Sequence, residues 1–154
     1  MIVSIKKMLC ALLLAGCMLL AYVIWVSLRP VEIVAVHKDG NHSSVLVKTF
    51  PFTDSGKIEW WLKNRDMLKE KYDTPEPELD GSFTVVFWLL GEGYKEEGKY
   101  DRRCFEDMRT QKNCIDKNSL ILVKNSKNSG MYYILDSGTY RINDTGEIIK
   151  NKSD

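Results

Sequence analysis

Hydrophobic and polar positions divide this chain into two physically different stretches. Between Leu9 and Leu28, 18 of 20 side chains are apolar, all but Gly16 and Ser27, and none is charged. Twenty helical residues rise roughly 30 Å, the thickness of a bilayer's hydrocarbon core, and a helix satisfies its own backbone polar groups there. The pattern therefore predicts a membrane-spanning helix over 9–28. Lys6 and Lys7 flank it with no acidic neighbour, so the positive-inside bias places a short tail, 1–8, in the cytoplasm and 29–154 across the membrane. Tyr22 and Trp25 fall near the far interface, and Arg29-Pro30 supplies a charge and a residue that cannot continue the helix.

Two rival readings of this stretch remain open. A cleaved secretory signal would use Lys6 and Lys7 as its basic region, but its apolar core is normally about 7–15 residues, and this one continues through Tyr22-Val23-Ile24-Trp25-Val26. The second rival is sharper: Leu14-Ala15-Gly16-Cys17 resembles a lipobox, whose cysteine is acylated after cleavage. Acyl chains are themselves the anchor, so a polar tether normally follows, whereas Met18 to Leu28 is mostly apolar. Cys17 is kept as a lipidation candidate, and Cys10 reads as a small apolar residue in lipid.

Beyond Arg29 the periodicity changes. Val31 to His37 and Ser44 to Phe50 are rich in β-branched residues and flank the turn Lys38-Asp39-Gly40-Asn41, a hairpin with a fairly long loop. Thr53, Asp54 and Ser55 offer capping oxygens, and Ile58, Trp61, Leu62, Arg65, Leu68 and Tyr72 recur at three- and four-residue spacing, an amphipathic helix of about 17 residues. Pro75 and Pro77 forbid its continuation. Ser82 to Leu90 is apolar on both faces, as a central strand covered twice would be. Gly91 to Arg103 is charged and glycine-rich, an exposed connection with room for an irregular strand. Three further β-rich runs, 120–124, 131–135 and 139–143, and a short one at 147–150 form a meander. One helix among many strands gives a single α+β domain, an antiparallel sheet with one long helix packed on a face.

Charge adds an exclusion. The chain has 22 Lys+Arg against 21 Asp+Glu, and past the apolar stretch 20 basic groups face 21 acidic ones; no excess positive charge points to nucleic acid. Of the 126 residues from Arg29 onward about 36% are apolar, an ordinary value for a water-soluble fold. Cys104 and Cys114 are the only cysteines outside the apolar stretch, and in an oxidising compartment two such thiols pair. A disulfide is expected.

Candidate chemistry is thin. His37 and His42 flank a turn with Asp39, a spacing that alone is weak evidence for zinc or copper. No Gly-x-Ser-x-Gly elbow presents a serine to either histidine. Gly91-Glu92-Gly93 lacks the remaining elements of a nucleotide loop. Glu76 with Glu78, and Glu96 with Glu97, lie among lysines and prolines as solvated charge rather than as a carboxyl pair tuned by burial. Neither a cofactor, nor a metal, nor a small-molecule substrate is inferred, and an enzyme is not expected. Trp60 and Trp61 point about 100° apart on a helix; Trp61 matches the apolar stripe, leaving Trp60, with Asn64, Met67 and Lys71, either to pack under the sheet edge or to meet a partner. Trp60, Met67 and the mixed-charge segment containing Glu92, Tyr94, Lys95, Glu96 and Arg102 are the candidate partner surface.

Several segments carry a resemblance: Ser27 to His37 after the leucine-rich stretch, Phe50-Pro51-Phe52-Thr53-Asp54, Trp60-Trp61, and Tyr94 to Arg102. Together they resemble an uncharacterised family of small membrane proteins from enteric bacteria, a domain-of-unknown-function family, over nearly the whole chain. The resemblance implies a bacterial inner membrane and a plain leucine-rich anchor, which would make the Leu14 to Cys17 pattern incidental; it brings no catalytic residue. The expectation is a single-pass inner-membrane protein whose partners are the bilayer and a periplasmic protein, for instance an immunity protein facing an envelope-directed toxin. The alternative is a structural or accessory component of an envelope complex.

Overall fold

The computed structural model describes residues 1–152, and the chain divides into two compact units with the boundary after Pro30. The first is one helix, α1 (Ile2–Ser27, 26 residues), with no buried residue. It is long and apolar enough to cross a membrane. It starts well before Leu9 because Ile2 to Met8 contains neither proline nor glycine and lysine is a good helix former; Lys6 and Lys7 thus belong to its first turns. Near its end, the Arg29 guanidinium sits 4.1 Å from the centre of the Trp25 ring.

The second unit contains β1 (Ile33–Asp39), β2 (His42–Val47), α2 (Asp54–Tyr72), β3 (Phe83–Leu89), β4 (Arg102–Cys104), β5 (Cys114–Asp116), β6 (Ser119–Ser126), β7 (Gly130–Leu135), β8 (Gly138–Ile142) and β9 (Ile148–Lys150). Seven strands form one sheet in the order β1-β2-β3-β6-β7-β8-β9, and β4 with β5 form a separate ribbon. The class is α+β. One pairing departs from the all-antiparallel expectation: β2 and β3 run parallel, because α2 carries the chain back over the sheet before β3 begins, as a helical crossover does. The first hairpin is also tighter than its polar residues suggest. Asp39 pairs with His42, so only Gly40 and Asn41 turn, with Gly40 at φ 60° where a side chain would be strained.

Local chemistry sets the limits of α2. The Thr53 hydroxyl accepts from the Gly56 N–H at 3.0 Å, a standard N-cap, and a Cβ on Gly56 would come within 2.7 Å of that oxygen. At the other end Asp73 turns left-handed at φ 50°. Ile58, Trp61 and Leu68 from α2 are buried against Val45, Val47, Phe83, Val85, Phe87, Ile121 and Val123 on one sheet face. A second cluster, Leu46, Leu90, Phe105 and Ile115, lies on the opposite face. Strand β3, between β2 and β6, sends Phe83, Val85 and Phe87 into the first core, while on its other face Trp88 packs against the second.

Candidate functional site

The second core is roofed by a lobe running from Leu90 to Asn118, whose first part, Gly91 to Arg103, reads in the sequence as an exposed connection with room for an irregular strand. Its one regular feature is the β4–β5 ribbon, in which Cys104 stands directly opposite Cys114 and is joined to it by a disulfide. Strand β5 has no strong β-rich run behind it. Phe105 and Ile115 follow the cysteines and turn inward, 3% and 0% exposed, and these two side chains hold the lobe onto Leu46 and Leu90.

His37 joins the lobe to the sheet. Its ring lies parallel to Phe105, centres 4.1 Å apart. Nδ1 meets both carboxylate oxygens of Asp107 at 2.9 Å, and Nε2 meets the Tyr94 hydroxyl at 2.8 Å. A carboxylate only accepts, so Nδ1 donates to Asp107, and Nε2 shares a hydrogen bond with the Tyr94 hydroxyl. Burial, and secondarily the charge of Asp107, push the Tyr94 hydroxyl above its ordinary pKa. Both imidazole nitrogens are thus occupied, so the ring ties β1 to two points of the lobe. Its partners are 57 and 70 residues away, beyond the reach of any sequence pattern. His37→Ala should lower stability by roughly 2–3 kcal/mol, through two hydrogen bonds and a ring stack, and Tyr94→Phe by about 1 kcal/mol. Chemical denaturation measures both, and hydrogen exchange across residues 105–113 should speed up in the first.

The other residues of the sequence-predicted surface divide. Trp60 is half-buried, 5.3 Å from the Phe50 ring and 5.6 Å from Phe87, and Met67 packs partly buried against the same core. Within the lobe, Lys95 bridges Glu92 at 2.7 Å and Asp116 at 2.8 Å, and Arg102 reaches Asp116 at 3.0 Å and the Glu96 carbonyl at 2.6 Å. Tyr94 is engaged by His37. Glu92 and Glu96 remain exposed, with Glu97, Lys99 and Tyr100 beside them. Cys17, like Cys10, is a free, exposed thiol on α1. The His42 ring meets the Asn41 side-chain oxygen at 3.2 Å, and among the described residues no group of three or more His, Cys, Asp or Glu converges to hold a metal.

Lys95, and then Arg102, hold the Asp116 carboxyl below its ordinary value of 3.8, while Asp116, then Glu92, raise the Lys95 ammonium above 10.5. The signs differ. The depressed carboxylate stabilises the fold above pH 3.8 and loses that contribution as pH falls through its lowered value; the raised ammonium keeps its contribution until pH climbs past 10.5. Both are complete at neutrality. Asp116→Asn should therefore flatten the acid limb of stability below about pH 4 while barely changing stability at high salt, since the pair is exposed; urea titrations across pH give the comparison.

Fold and lobe together define a class: a small α+β domain with a disulfide-braced lobe, following a helix apolar enough for a bilayer. The chain belongs to the family described as "enterobacterial putative membrane protein (DUF943)", whose model matches residues 3–152. No curated protein and no solved structure matched the chain.

Proposed function

We propose that this is a single-pass inner-membrane protein, N-terminus cytoplasmic, whose domain lies in the periplasm and binds another protein without catalysis. The observation that carries the binding reading is the lobe. Two covalently joined strands and the His37 brace hold its backbone rigid, while Glu96, Glu97, Lys99 and a 61% exposed Tyr100 project from it. Rigid presentation of an aromatic among charges lowers the ordering cost of association. The disulfide supports an oxidising address, and Lys6 and Lys7 support the orientation. An immunity protein against an envelope-directed toxin would need such a complementary surface and no reaction. Retention of the uncleaved helix, rather than acylation at Cys17, follows from the apolar residues after that cysteine.

Two measurements test it. Alkaline phosphatase fused to the C-terminus should be active and a fused fluorescent protein dark; the opposite pair overturns the address. A photoreactive amino acid replacing Tyr100 in cells should crosslink to a protein, and replacement of α1 by an unrelated span should leave that crosslink intact. Loss on replacing the span favours an accessory role read through the helix itself.

A further inference from the structure

The lobe roofs only the β1–β2 side of the sheet's second face. Over β6, β7 and the middle of β3 that face lacks a roof, and its floor is apolar: Val86 pairs with Leu122, Leu122 with Ile134, and Ile134 is 40% exposed. Trp88 marks the seam, packed against the lobe's core and lining a concavity of about 190 Å³ with Leu120, Leu122 and Ile134. Typical small-molecule clefts hold roughly 300–1,000 Å³; this one has room for a single large side chain, and a flat lipid surface would not enter it.

The ends of the floor are oppositely charged. Strand pairing sets Lys124 beside Tyr132 at one end, and the Arg141 guanidinium lies 5.4 Å from the Tyr132 ring centre. Two residues beyond Ile134 in the other direction, Asp136 lines the concavity. A helix laid along the strands has a partial positive charge at its N-terminus and a negative one at its C-terminus, which complements such a floor in one direction only. A two-layer domain already solves the same problem on the opposite face with α2. A second copy stacked face to face with its strands reversed, the orientation that opposes Asp136 to Lys124 and Arg141, would set lobe against lobe.

We infer that this open half of the sheet seats an amphipathic helix of a partner protein, N-terminus at Asp136 and C-terminus toward Lys124 and Arg141, with one large apolar side chain in the concavity beside Trp88. The inference rests on the protein-binding reading and adds a surface and a partner chemistry to it. The test places the photoreactive residue at Ile134 in the full-length protein in cells, with Glu70 on α2 as a control and Tyr100 run in parallel, and sequences the crosslinked peptides. Support is an Ile134 crosslink into another protein's segment whose apolar residues recur at three- and four-residue spacing, with yield falling at least fivefold in Asp136→Lys combined with Arg141→Glu. Crosslinks to lipid, to a second copy of the chain or to a non-helical segment, or none at all, overturn it. If Tyr100 captures a protein while Ile134 does not, the binding reading stands and the helix groove falls; if both stay silent, both fall.

Discussion

Phe87→Ala is expected to destabilise the folded domain by about 3–5 kcal/mol, the range for deleting a fully enclosed phenylalanine. The side chain is 0% exposed and is enclosed by aromatic rings, with Phe50 at 5.1 Å, Trp60 at 5.6 Å and Trp61 at 6.2 Å between centres. It sits on β3, flanked by β2 and β6, so relaxation into the vacated space would have to move strands already tied on both sides. Beyond the lost transfer energy, three edge or tilted ring contacts disappear, each worth roughly 0.5–1.5 kcal/mol. Because Trp60 and Trp61 both touch the ring, their fluorescence reports the unfolding midpoint directly. Glu70→Ala, on the exposed side of α2, should move that midpoint by less than about 0.5 kcal/mol. A loss of under 1 kcal/mol for Phe87→Ala would mean that the aromatic cluster is not the centre of the core.

The second large effect is that of the disulfide. Cys104→Ser with Cys114→Ser should cost about 2–3 kcal/mol, the chain-entropy value for a closed loop of this length, since the two cysteines are 10 residues apart. The loss should be local in character. Phe105, Asp107 and Met108 all lie inside the closed loop, so freeing it loosens the stack on His37 and the roof over Leu46 and Leu90, while the α2 side of the sheet keeps its packing. Hydrogen exchange should therefore accelerate in 90–118 far more than in β6 or β7. Mass measurement of the wild-type chain with and without reductant should differ by two hydrogen atoms for this pair once alkylation has accounted for Cys10 and Cys17; free thiols at 104 and 114 in the unreduced sample would rule the bridge out.

Much of the first-order architecture was legible in order along the chain. The α1 span, the extent of α2 within two residues, the apolar β3 and the terminal meander all follow from local periodicity, because a 3.6-residue or two-residue repeat writes burial directly into neighbouring positions. Trp61 declared itself by its place on the stripe. Trp60 did not, because its cover is Phe50, a residue outside the helix. The parallel β2–β3 pairing was hidden for a similar reason: a helix between two strands permits several returns, and only the packing of α2 on the sheet selects one.

The candidate site was the least legible part. His37 lies close to His42 in sequence, a spacing that carried little weight, and its partners are Tyr94 and Asp107. Lys95 and Arg102 looked like surface for a partner, and Asp116 claims both. Electrostatic and ring contacts between segments 57 or 70 residues apart leave no periodic trace, since each residue type is ordinary in its own neighbourhood. Similarly, the β-rich runs 120–124 and 131–135 were legible as strands, but not which face of the sheet lacked a cover.

What the sequence determined by itself, then, is the set of elements and the separation of a lipid-compatible helix from a water-compatible domain, because both depend on composition within a few turns of chain. The tertiary structure alone decided the strand order, the side of the sheet that each core occupies, and the folding of a polar, glycine-rich connection into a braced lobe. Those outcomes depend on which distant surfaces exclude water together, a property of pairs of segments that no single segment contains.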